Sequence, residues 1–152
     1  MSKRKKEDRW QFHDGGRKDA GFKGKAGDCF VRAVAIASER EYGDVYRAVG
    51  AAAKKEKPSK RRRGMSAPRT GVHSVTARSF MAEMGWTWVP TMTIGSGCKT
   101  HLRHDELPKG RIIARLSRHY VAVVDGVVLD TYDCTREGTR CVYGYWKEAS
   151  DE

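Results

Sequence analysis

The sequence predicts an α+β domain in which N-terminal helices pack on a C-terminal antiparallel β-sheet. Three observations carry this expectation. Ala-rich and amphipathic segments occupy the first half of the chain, and β-branched and aromatic runs occupy the second. An Asp125-Gly126 pair separates two of those runs, the strongest short hairpin signal a sequence carries. Helices first and strands second is the pattern of an α+β domain. The 152 residues suit one domain, and no internal repeat divides them.

Residues 1–20 hold few apolar groups and two adjacent glycines, Gly15 and Gly16. They read as a disordered basic arm, which leaves residues 21–150 for the domain. The run from Cys29 to Ser38 is apolar nearly all round, with Arg32 the one charge inside it. A helix apolar on every side is a buried one. Asp28 is a good N-cap, which puts Cys29 at the first helical position. A second helix should start near Gly43-Asp44 and run towards Lys55, ended by the basic run around Pro58. His73 to Met84 reads as a third, with Val75, Phe80, Met81 and Met84 on its apolar side and Gly85 as its C-cap. Trp86–Pro90 is a short strand. Residues 111–116, 119–124, 127–131 and 140–146 complete the strand set.

The net charge is +11. Much of it lies in the N-terminal arm and in a basic loop at about 54–70 that contains Lys60, Arg61, Arg62 and Arg63. Such runs are ordinarily solvated and mutually repelling, and they can also hold a polyanion. No aromatic residues are interleaved for base stacking, so at most weak, salt-sensitive, non-specific nucleic-acid binding is expected. No apolar run reaches the length of a membrane span, and the basic N-terminus is unlike a secretory signal. The expected location is therefore cytoplasmic. Four cysteines in such a chain point to thiols or a metal site before disulfides.

The hairpin assigns side chains to faces. A two-residue Asp125-Gly126 turn sets Val124 against Val127, Val123 against Val128 and Ala122 against Leu129. Side chains alternate along a strand, so His119 shares a face with Val121 and, across the ladder, with Asp130. Asp133 falls on the other face. A buried carboxylate beside an imidazole fixes its tautomer and favours the imidazolium. Cys29, at a helix N-terminus, sits at the positive end of the dipole, and an adjacent imidazolium lowers the thiol pKa further. A small thiol in an Ala-rich helix is ordinarily a core residue. A carboxylate in an apolar strand, by contrast, is seldom buried without a partner. Cys29, His119 and Asp130 together have the parts of a thiolate–imidazolium pair with an orienting acid, and the Cys29 N–H would donate to an oxyanion.

Gly-Asp-Cys29 opening a helix, followed by His119-Tyr-Val-Ala-Val-Val and Val-Leu-Asp130 near the end, resembles the papain-like cysteine peptidase superfamily. The resemblance covers residues 20–147 or so and is strongest to compact bacterial and phage members, including the double-glycine peptidases that trim bacteriocin leaders. It implies a papain-like fold and thiol-dependent hydrolysis of a peptide or isopeptide bond through a thioester, with no cofactor. It gives Cys29 the role of nucleophile, His119 that of base and then acid, and Asp130 that of orienter. The family commonly places a Gln six residues before the Cys. Lys23 stands there and becomes the oxyanion candidate. The partner implied is a peptide or protein substrate, and Gly15-Gly16 resembles the double glycine that related enzymes cut.

Trp86, Trp88, Tyr120 and Tyr132 are candidate walls of a substrate cleft. Three other readings stand beside this one. Cys98, His101, Cys134 and Cys141 offer zinc-ligand types at non-standard spacing, or Cys134 and Cys141 meet across a loop. The chain could be a basic nucleic-acid-binding protein. It could also keep the peptidase fold as a non-catalytic binding protein.

Overall fold

The computed structural model describes residues 9–23, 27–57, 64–93 and 95–149. Among these described residues, six strands and three helices run in the order β1 (Trp10–Phe12), α1 (Cys29–Ser38), α2 (Tyr42–Lys54), α3 (Ser74–Glu83), β2 (Trp86–Pro90), β3 (Arg111–Leu116), β4 (His119–Val124), β5 (Val127–Asp130) and β6 (Gly144–Glu148). The strands form one sheet in the order β1-β5-β4-β3-β6-β2. β1 pairs parallel to β5 and the other pairings are antiparallel. The class is α+β, but the sheet is mixed, and strands precede as well as follow the helices.

α1 is apolar all round because it lies between the sheet and the other helices; Phe30 to Ala37 are all buried. α2 buries one stripe, Tyr42, Val45, Val49 and Ala53, the helical spacing that an outer helix needs. α3 buries Thr76, Ala77, Phe80 and Met81. Together they cover the sheet face carrying Ile113, Tyr120, Ala122 and Trp146.

The opposite face carries Ile112, Ala114, Leu116, Val121, Val123 and Val128. No helix among the described residues covers it. It packs instead against Leu102, Leu107, Cys134 and Val142, all from loops. β3 and β4 are thus buried on both faces, which explains their nearly unbroken apolar sequences. Each large apolar side chain so buried contributes about 1.5–3 kcal/mol by leaving water.

The hairpin register is the expected one, Ala122↔Leu129, Val123↔Val128 and Val124↔Val127. Asp125 (φ 49°) and Gly126 (φ 81°) both adopt left-handed conformations, as a type I′ turn requires.

Several expectations are corrected. The arm is ordered from residue 9 onward, and residues 1–8 lie outside the described residues. Trp10–Phe12 adds an edge strand beside β5 because His13 N–H and the strand backbone find partners there. Gly15 (φ 72°) lies against α1, where a Cβ would stand 3.2 Å from Arg32 Cα. The double glycine is therefore a close-packed turn rather than a presented cleavage site. The last strand begins at Gly144, not residue 140. The segment before it is held by backbone bonds from Leu102 N–H to Arg140 O and from Val142 N–H to Thr100 O. Cys141 there forms a disulfide with Cys98, so two of the four cysteines are paired, not free. Most of the basic run, residues 58–63 with Lys60, Arg61, Arg62 and Arg63, lies outside the described residues.

Candidate active site

Cys29 opens α1, with Asp28 immediately before it. Asp28 occupies the N-cap position but makes no capping bond with its side chain, contrary to the expectation. Its carboxylate, 1% exposed, is taken by stronger partners. Arg32 one turn along α1 pairs with it, Arg17 of the arm approaches to 3.3 Å, and Tyr42 Oη donates to it at 2.5 Å. Burying a carboxylate is costly unless it is paired and hydrogen-bonded. The charge inside the apolar helix thus answers the charge before it.

Arg32 also reaches the sheet. Its Nη2 lies 3.3 Å from Asp130 Oδ1. Asp130 further accepts the Thr131 N–H at 2.7 Å and a 2.6 Å hydrogen bond with His119 Nε2. His119 and Asp130 are 7% and 2% exposed. The register derived from Asp125-Gly126 therefore selects the right carboxylate. Asp133 is turned to Arg9 and to Thr135.

The electrostatics follow from this contact set. Burial on its own would raise the Cys29 thiol pKa, but a hydrogen bond and the charge of His119, the Tyr120 N–H and the charge of Arg32 bring it below its ordinary value. Burial would lower the His119 pKa. The hydrogen bond with Asp130, helped by contacts with Cys134 and Cys29, drives it well above the ordinary value. Burial would raise the Asp130 pKa, and His119 and the Thr131 N–H hold it low. All three groups favour the charged form, thiolate–imidazolium–carboxylate.

Above them lies a cleft of about 590 Å³ lined by Cys29, His119, Tyr120 and Tyr132. Tyr132 is half exposed and its ring centroid lies 5.5 Å from that of His119. Tyr120 Oη donates to Val72 O. The other two expected wall residues are elsewhere. Trp86 is buried in the helix-side core, and Trp88 packs at 4.6 Å on Trp146 with Arg78 over its ring. Large aromatic area buried in a core outweighs a place at a cleft rim.

Lys23 does not line the cleft. Its carbonyl receives Arg17 and Arg69, and the residue is exposed. The N–H of Cys29, at the first position of α1, is one of the helical N–H groups that have no partner within the helix.

The zinc set is dispersed. Cys98 and Cys141 are bonded to each other, and His101 pairs with Glu106. Cys134 is buried beside His119 and Asp130 instead. Its ligand atom and those of His119 and Asp130 lie within 4.8 Å of one another, the metal-capable group among the described residues. Burial and the Asp130 charge raise the Cys134 pKa, so without a metal its thiol stays neutral beside His119.

Sequence reasoning missed Arg32, Asp28 and Cys134. The first two had a readable signal, since opposite charges at i and i+4 around an apolar helix start imply a buried pair. Cys134 had none, because nothing local ties a loop thiol to His119. Searches of family models, curated proteins and solved structures return no match to this chain.

Proposed function

We propose that this protein is a papain-like cysteine peptidase that hydrolyses a peptide or isopeptide bond through a thioester. One observation carries the reading. His119 is hydrogen-bonded to Asp130 at 2.6 Å and lines one open cleft together with Cys29, whose thiol pKa the neighbouring His119 lowers. A triad is recognised by geometry and roles rather than by position in the chain.

The steps use this chain's own groups. The Cys29 thiolate attacks the carbonyl carbon, and the new C–S bond places negative charge on the carbonyl oxygen. The Cys29 N–H at the positive end of α1 stabilises that charge. His119, already protonated, gives its proton to the leaving nitrogen as the C–N bond breaks. Neutral His119 then takes a proton from water, which attacks the thioester and releases the acid. Asp130 keeps the ring oriented and balances the imidazolium, and Arg32 holds Asp130 from behind.

The test is alkylation of each cysteine by iodoacetamide across pH, read by mass spectrometry, in the native protein and in His119→Ala. The native Cys29 rate should rise through a midpoint well below the ordinary thiol value of about 8.5. In His119→Ala the midpoint should move up by at least about one unit, each unit being worth 1.36 kcal/mol. An inert Cys29, or a profile indifferent to His119, removes the thiolate–imidazolium pair and the reading with it.

A further inference from the structure

The cleft has a property the triad does not use, which is its charge. Arg115, near the end of β3, and Arg118, in the two-residue turn before β4, both line it. Among the described lining residues there is no Asp or Glu. Arg32 also borders the cleft, but Asp28 and Asp130 neutralise it. The carboxylates of the described ion pairs go to other cations, for example Asp133 to Arg9 and Glu39 to Arg111, and none goes to Arg115 or Arg118.

The charge continues past Tyr132. A neighbouring hollow shares Arg118 and Tyr132 with the cleft and adds Arg136 and Arg140. Its one acid, Asp133, is already held by Arg9 and Thr135. Arg140 donates to the carbonyls of Ser117 and Cys134, and its Nε is buried without a partner. Neutral carbonyls leave its charge uncompensated.

A concave surface lined by one sign of charge focuses the field and concentrates ligands of the opposite sign. A guanidinium presents a planar fork that fits a carboxylate with two parallel hydrogen bonds. We propose that the cleft selects polypeptides with an Asp or Glu side chain next to the scissile amide, held by Arg115 and Arg118. The proposal rests on the peptidase reading for the reacting bond. It adds the class of substrate. A nucleic acid would also meet the charge, but it offers no acyl carbon to Cys29, and the same cleft holds both the thiol and the arginines.

Two alkylating reagents of similar size and opposite character test this. Iodoacetate carries the carboxylate and iodoacetamide does not. Their Cys29 rates are measured at low ionic strength, and the ratio is normalised to N-acetylcysteine. The normalised preference for iodoacetate should be at least about tenfold, the lower end of what a focused field supplies. It should fall as salt rises, because screening shortens to about 3 Å at 1 M. Arg115→Gln and Arg118→Gln should each lower the preference, and the double variant should lower it most. Lys109→Gln removes the same charge at the far end of β3 and should leave the preference as it was.

A normalised ratio near one, or a preference equally lost in Lys109→Gln, overturns the proposal while an active Cys29 leaves the peptidase reading standing. A Cys29 inert to both reagents removes that reading first and the proposal with it. Binding to Cys29→Ala gives a second readout that needs no chemistry. A fluorescent peptide rich in Glu should bind more tightly than its Gln counterpart, with the difference lost in Arg115→Gln/Arg118→Gln. Equal binding of the two peptides, or displacement of the Glu peptide by an oligonucleotide at lower concentration than by unlabelled peptide, overturns it.

Discussion

The two faces of the sheet are built by different means. The helix-covered face is closed by α1, α2 and α3, whose buried stripes recur at helical spacing. The other face is closed by loops, pinned by the Cys98–Cys141 disulfide and by backbone bonds around residues 100–102 and 140–142. The candidate site sits on the seam. Cys29 comes from the helical side, while the register puts His119 and Asp130 on the face with Val121 and Val128. Arg32 joins the two, with Asp28 at one end of its guanidinium and Asp130 at the other. A seam between a self-sufficient layer and a tethered one is where a reactive pair can be both rigidly held and open to a cleft.

The seam gives the largest expected effect. Arg32→Ala leaves two buried carboxylates short of a cation, and breaking a buried pair from one side costs about 3–5 kcal/mol. Urea unfolding should show that loss. Asp130 has a lowered pKa in the folded protein. The stability it contributes is therefore present above the unfolded carboxylate value and disappears as pH falls through the folded one. Without Arg32 the folded value rises, so acid unfolding of Arg32→Ala should begin at a higher pH than in the native protein. A loss below about 1 kcal/mol, the scale of a surface pair, would mean that the two layers do not depend on this bridge.

The loop-covered face comes next. The disulfide spans a sequence separation of 43, for which the chain-entropy relation gives about 4 kcal/mol and measured cases about 2–4. Reduction, or Cys141→Ser, should lower Tm and open the amides of residues 98–110 and 134–143 to hydrogen exchange. The amides of α1 should keep their protection up to the global unfolding free energy. Equal loss of protection in α1 would show that the two faces form one cooperative unit and would erase the contrast drawn above.

That contrast also marks what the sequence could reveal. The helical face was legible because local period and burial agree. The stripes of α1 and α2 lie close to their expected bounds, whereas that of α3 is displaced, with Val75 exposed and Thr76 and Ala77 buried beside Phe80 and Met81; Asp125-Gly126 set the β4–β5 register that joins His119 to Asp130. The loop face was not, because its contacts are long in sequence and short in span. β1 is three residues paired to a strand more than a hundred positions away, too few for a period to register. Cys98 and Cys141 are brought together by loops, and spacing does not encode pairing. Trp86 and Trp88 share a strand, and only the packing of Trp146 decides that both serve the core side.

Cys134 supplies the smallest expected effect and the sharpest use of the seam. It belongs to the loop face, yet it touches His119 and lies near Asp130. Its raised pKa keeps it neutral, so its share in holding the imidazolium is that of one neutral hydrogen bond. Cys134→Ser retains an acceptor of nearly the same size. The midpoint of Cys29 alkylation should then move by about one unit or less, since such a bond is worth about 0.5–1.5 kcal/mol and a pKa unit 1.36 kcal/mol. A shift as large as that of His119→Ala would instead make the loop face a full partner in activating Cys29. The thiolate–imidazolium pair would then depend on the layer that the disulfide tethers, and reduction of Cys98–Cys141 would switch the site as well as loosen the fold.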